Sequence, residues 1–237
     1  MKRRLIRLLA ITISLTAALA ACSKPANRPE EATGGADTET VASATRQDAP
    51  SAAEKAGLPD GVTVETVFPY SGAYVEDGSN AACENVCAIL LYNDSPVHYQ
   101  YLRFSLETAG GVYTFAASTL FAGARMTVLC EEKAPFAEGE VLSAALLTSV
   151  PFREPPSVHT DTLEITYADG FINVKNLTDA ALSNVYVYYK DTDGNGYLGG
   201  ITYRASFGEI PAGGTVQTGA ANMRRATCRV VFATYDT

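Results

Sequence analysis

From Phe171 to Val216 the chain alternates apolar and polar residues in a period of two and breaks the alternation with Asn, Asp and Gly. Ile172 and Val174 alternate with Asn173 and Lys175, and Asn176-Leu177-Thr178-Asp179 ends the run. That is a strand followed by a turn. Val185-Tyr186-Val187-Tyr188-Tyr189 is β-branched and aromatic, which suits a pleated, half-buried surface. Asp193-Gly194-Asn195-Gly196 reads as a turn, because Gly and Asn reach positive φ at little cost. Tyr197 to Arg204 then returns as the hairpin partner, and Pro211-Ala212-Gly213-Gly214 turns the chain into a further strand from Thr215 to Thr218. A chain patterned this way folds as antiparallel sheet.

A divergent copy of the unit runs from Ala88 to Val128. Ile89 and Leu91 alternate with Leu90 and Tyr92, and Asn93-Asp94-Ser95-Pro96 breaks the strand. Ala109-Gly110-Gly111 is the hairpin turn, and Phe121-Ala122-Gly123 precedes Met126 and Val128. Asn93 therefore aligns with Asn176, and Gly123 with Gly213. The second unit is the longer, and its extra residues fall in the hairpin and its return strand, where loops tolerate insertion. Matched order and matched breakers are the mark of an internal repeat.

The remaining segments place these two units. Residues 1–21 read as a secretion signal: Lys2, Arg3, Arg4 and Arg7 precede an apolar stretch from Leu8 to Leu19, too short to span a bilayer. Residues 22–57 hold one larger aliphatic residue, Val41, and no aromatic. Such a segment buries too little apolar surface to order itself, so it reads as a disordered tether, about 30–35 Å from end to end as a flexible coil. Residues 58–150 form a first domain, 151–160 a stiff linker around Pro151, Pro155 and Pro156, and 161–237 a second domain. Each domain has six or seven short strand patterns. The fold class expected is all-β, with two small immunoglobulin-like antiparallel β-sandwich domains.

Two stretches resemble known families. Leu19-Ala20-Ala21-Cys22 resembles the bacterial lipobox, which implies that Cys22 is lipidated and becomes the mature N-terminus. The acyl chains would then anchor the protein to a membrane, outside the cytoplasm. The run Val185 to Lys190, a polar turn, and Tyr197 to Arg204 is similar to a segment of bacterial surface lipoproteins with tandem immunoglobulin-like domains. The Asn-Leu-Thr break with its late Gly turn also looks like the FxLYD-type modules, although the FxLYD signature itself is missing. This resemblance covers 58–237. It implies a fold and a location and supplies no catalytic residues.

Candidate site residues are few. Cys83, Cys87, Cys130 and Cys228 allow three pairings. Cys87 shares the parity of the core-facing Ile89 and Leu91, and Cys130 that of Met126 and Val128. A Cys87–Cys130 disulfide is the pairing this suggests, with Cys83–Cys130 and free buried thiols as the alternatives. The spacing of Cys83 and Cys87 lacks the second pair a zinc site wants, and no metal or cofactor is expected. Asp191, Asp193, Asn195 and Gly196 match the first half of a calcium loop, but position twelve is Thr202, and a tight hairpin turn explains them equally well. Tyr186 and Tyr188 lie on the face opposite Val185 and Val187, with Tyr203 on the partner strand. These three tyrosines are the candidate binding face, unless the first domain covers them or they serve as cross-strand pairs. Asn176-Leu177-Thr178 fits a glycosylation sequon, a poor reading in a bacterial chain. His98 and His159 stand beside no Ser or Cys motif, and no hydrolase, metalloprotease or phosphate-loop motif occurs, so the chain is not expected to be an enzyme.

Charge narrows the partners. Of 18 Lys and Arg residues, four fall in the first 21 positions, and the 14 that remain face all 26 acids, a net of −12. This argues against nucleic acid and against an electrostatic hold on anionic lipid. The expected partners are a membrane, through the N-terminal lipid, and an envelope protein or polymer. A substrate-binding or hydrolytic site between the two domains is the alternative.

Overall fold

A computed structural model describes residues 57–194 and 196–237. Cys22, the signal and the tether up to residue 56, and Asn195 lie outside the described residues. The described chain is all-β, with thirteen strands and no helix among the described residues. The first six are β1 (Val62–Tyr74), β2 (Ala81–Asn93), β3 (Tyr99–Thr108), β4 (Gly111–Leu120), β5 (Arg125–Leu129) and β6 (Val141–Pro151). The rest are β7 (Leu163–Ala168), β8 (Phe171–Asn176), β9 (Leu182–Asp193), β10 (Gly196–Leu198), β11 (Tyr203–Ile210), β12 (Thr215–Gly219) and β13 (Cys228–Asp236).

Pairing follows the repeat. In the first half β2 lies between β1 and β5, and β3 lies between β4 and β6, all antiparallel. In the second half β8 lies between β7 and β12, and β9 lies between β11 and β13. Strand for strand, the second order repeats the first, with β10 as the one addition. The alternation read from sequence becomes burial: β3 and β11 each bury every second side chain along most of their length.

Two hydrophobic clusters result. Phe104 and Phe115, both fully buried, stack at 5.8 Å in the first, packed among Ile89, Leu91, Leu102 and Val128. Ile172, Val174, Val185, Val187 and Ile210 make the second. Burying a side chain of this size contributes roughly 1.5–3 kcal/mol.

β10 ties the halves together. It follows β9 in the second half, yet it runs parallel to β5, pairing Tyr197 with Met126 and Leu198 with Thr127. Leu198 joins the first hydrophobic cluster. One seven-stranded sheet thereby runs through both halves, and the described residues cluster as one unit. The linker binds both sides too: Phe152 N–H donates to His98 O at 2.8 Å, and Ala233 N–H donates to Ser157 O at 2.8 Å.

Candidate functional site

The β10 crossing brings three pieces of chain to one place. They are the end of β4 (Ser118, Thr119), the β9 residues after Val187 (Tyr188, Tyr189, Lys190), and the loop Gly199-Gly200-Ile201-Thr202 after β10. The two glycines allow the approach. A Cβ on Gly199 would sit 2.9 Å from Val128 Cγ1, and one on Gly200 would collide with the Val75 carbonyl oxygen. Only backbone fits in so narrow a space. Gly199 N–H donates to Thr127 O at 2.6 Å, and Ser118 N–H donates to Gly199 O at 3.2 Å, so the loop is held by backbone on both sides.

Lys190 sits at the centre of the join with no exposed surface. Its Nζ donates to Ser118 Oγ at 2.9 Å, Gly199 O at 3.0 Å, Gly200 O at 3.1 Å and Thr202 Oγ1 at 3.3 Å. The Ser118 hydroxyl also reaches Gly200 O, and lies 2.9 Å from Thr202 Oγ1. Thr119 Oγ1 lies 2.8 Å from Thr202 Oγ1. Burial holds the Lys190 amine down to about 7, against the upward pull of Glu76 and Asp191. Glu76, in the β1–β2 connection, is pushed up to about 8 by its own burial, although Leu129 N–H donates to its Oε1 at 2.8 Å.

Thr119 has φ of 57°. A β-branched residue in the left-handed region is strained, and it stays there only because its surroundings over-determine it. Here those surroundings are the hydroxyl cluster and the buried end of β4, where Thr119 is 4% exposed.

A cleft of about 550 Å³ opens over this cluster. Ser118, Thr119, Thr202 and Gln100 form its polar side, and Phe152, Tyr188 and Phe232 its aromatic side. Tyr188 stacks on Phe232 at 4.1 Å with 11° between planes, and Phe152 meets Phe232 edge-on at 5.5 Å. Volume and lining fall within the range of small-ligand sites. A second cavity of about 210 Å³ lies beside it, lined by Glu76, Tyr101 and Glu131, and Ser118 borders both.

The structure separates the three candidate tyrosines. Tyr188 lines the cleft. Tyr186 lies on the same face, with the Arg204 guanidinium 4.7 Å above its ring. Tyr203 is not on that face: it is 9% exposed and packs at 5.3 Å on Tyr189 in the second hydrophobic cluster. It pairs with Tyr189 across β9 and β11, so its side chain takes the core-facing parity of Tyr189.

Cys87 and Cys130 are both fully buried, and Cys130 N–H donates to Cys87 O at 2.9 Å. They stand side by side where parity placed them, but all four described thiols are unpaired in this structure. Burial pushes the Cys87 thiol up to about 12 and also raises Cys130. Cys228 donates to Asp191 Oδ1 at 3.1 Å, and Asp193 Oδ1 accepts Gly196 N–H at 3.0 Å. These contacts give the acids of the calcium-like segment roles in the turn and its neighbourhood.

Sequence reading missed Ser118, Lys190, Gly200 and Phe232. Lys190 carried one signal, a lysine ending the strand run from Val185. Its partner Ser118 is 72 residues away. Compared with known proteins, the chain matches no family model and no curated protein sequence.

Proposed function

We propose that the chain is a lipid-anchored, extracytoplasmic lipoprotein. In this reading Cys22 carries the lipid and the tether lifts two immunoglobulin-like sandwiches off the membrane. The resemblance to tandem-domain surface lipoproteins belongs to the same proposal. Support for two sandwiches comes from the two hydrophobic clusters and from the strand order that recurs between the halves. The function is binding, and the ligand is a neutral segment of an envelope polymer that bears hydroxyl and amide groups.

The observation that carries this reading is the cleft at the join, with aromatic rings on one side and Ser, Thr and Gln on the other. Aromatic faces take the apolar side of a sugar-like ring, and hydroxyl and amide groups fix its orientation. Among the described residues no charged side chain lines the cleft, which suits an uncharged ligand.

Co-sedimentation of the full chain, in detergent, with isolated envelope glycan tests it. The wild type is expected to sediment with the polymer, and Tyr188→Ala to weaken capture roughly tenfold, the loss of one aromatic contact. A folded wild type that stays in the supernatant contradicts the proposal.

A further inference from the structure

We propose that Ser118 and Lys190 form a nucleophile–base pair at the floor of the cleft, able to cleave a small uncharged carboxylic ester. The proposal rests on the binding reading only for access to the cleft. It departs from the expectation that the chain is not an enzyme. Three observations converge on it. Ser118 lines both cavities, so it is a residue that a ligand in either one meets. Lys190 Nζ lies 2.9 Å from that oxygen. The residue after Ser118, Thr119, holds strained backbone, a feature that clusters where a side chain must be aimed.

In this structure Lys190 Nζ donates to Ser118 Oγ, Gly199 O, Gly200 O and Thr202 Oγ1, as an ammonium does. Loss of the proton shared with Ser118 leaves two N–H groups for the carbonyls and turns a lone pair toward Ser118 Oγ. Burial favours the uncharged form near neutral pH; Asp191, and Glu76 once it ionises above about 8, pull the other way. A serine is a weak nucleophile until such a base takes its proton.

Ser118 Oγ bonds to the ester carbonyl carbon as its proton passes to Lys190 Nζ. The ester C–O bond breaks, and the leaving alkoxide takes that proton from the ammonium. A water molecule then attacks the acyl-serine and gives a proton to Nζ. Ser118 Oγ departs and recovers it, so ester and water become acid and alcohol. The Thr202 hydroxyl, 2.9 Å from Ser118 Oγ, is a donor within reach of the developing oxyanion.

The test is covalent labelling of the full chain in detergent with a fluorophosphonate probe, mapped by mass spectrometry, and release of p-nitrophenol from p-nitrophenyl acetate. The wild type is expected to label at Ser118 and to gain reactivity as pH rises through about 7. Ser118→Ala is expected to abolish both signals, and Lys190→Met to lower them on the order of 100-fold, the usual share of a general base. If Lys190→Met fails to fold, the wild-type pH profile and Ser118→Ala decide the matter alone. A folded wild type that does not label between pH 6 and 9 overturns the proposal and leaves Lys190 as a structural tie. Labelling with no glycan capture would overturn the binding reading and spare this one.

Discussion

Asn93 and Asn176 show how far one residue type organises this fold. Both are fully buried. Asn93 Nδ2 donates to Val97 O and Phe121 O, and its Oδ1 accepts Ser95 N–H and O–H. Asn176 repeats the set with Ala180 O and Pro211 O, adds Ile210 O, and accepts from Thr178 N–H and O–H. The sequon at Asn176 is thus accounted for by a structural hub, with Thr178 as its hydroxyl. Asn176→Ala strips donors from buried carbonyls, each worth about 1–3 kcal/mol when left unsatisfied. A loss of about 3 kcal/mol is expected in urea denaturation, with a comparable loss for Asn93→Ala, and less than about 1 kcal/mol in either would refute the hub. Sequence marked both residues as strand breakers but hid their role, because Asn93 has one carbonyl partner and Asn176 two that lie 28 or more residues away. Glu76 and Lys190 set a pH signature. Glu76 is protonated in the folded state and ionised in the unfolded state between about 4.5 and 8, so its contribution to stability falls as pH rises there. Lys190 is neutral when folded and charged when unfolded between about 7 and 10.5, so its contribution grows with pH there. Glu131, Asp77 and Asp191 are the other charges acting on this pair. Thermal melts should pass through a minimum near pH 7–8 that flattens in Lys190→Met, and a wild-type maximum there would contradict these assignments.

Among the elements, β10 decides the architecture. Strand periodicity placed most of the other strands within a few residues, because alternating runs bounded by Gly, Asn and Pro are a local signal; β11 is the exception, since Tyr197 to Arg204 reads as the hairpin return and the structure begins that strand at Tyr203. β10 is three residues long and follows an Asp- and Gly-rich turn, so it read as the start of a hairpin return. Its parallel partner β5 lies some seventy residues earlier, and no local pattern announces a pairing over that distance. The same gap hid the site, whose Ser, Lys and aromatic residues come from β4, β9, β13 and the loop after β10. Gly200 is the test of this element. A Cβ there meets the Val75 carbonyl, so Gly200→Ala must push the loop away from the β1–β2 connection. A cost of about 1–3 kcal/mol is expected, as for other overpacked positions, with faster proteolysis between residues 190 and 203. Unchanged stability and protection would mean that β10 does not hold the halves together.

In the whole molecule, a duplicated six-strand plan acquires a join, and the join acquires a cleft. The plan was legible because each copy repeats the same order of strands and breakers. The cleft was not, because it exists only where the added strand seats one copy's loop in the other's core. Tyr188 was found from sequence by parity alone. Phe232 was not, since register shifts flank it in the β9–β13 pairing. Hydrogen exchange of the full chain in detergent, with and without soluble fragments of envelope glycan, tests whether the cleft at the join takes the polymer. Slowed exchange is expected in residues 117–120, 186–189, 199–202 and 231–234, with the rest unchanged. Protection confined to other segments, or none at fragment concentrations that saturate capture, would contradict it.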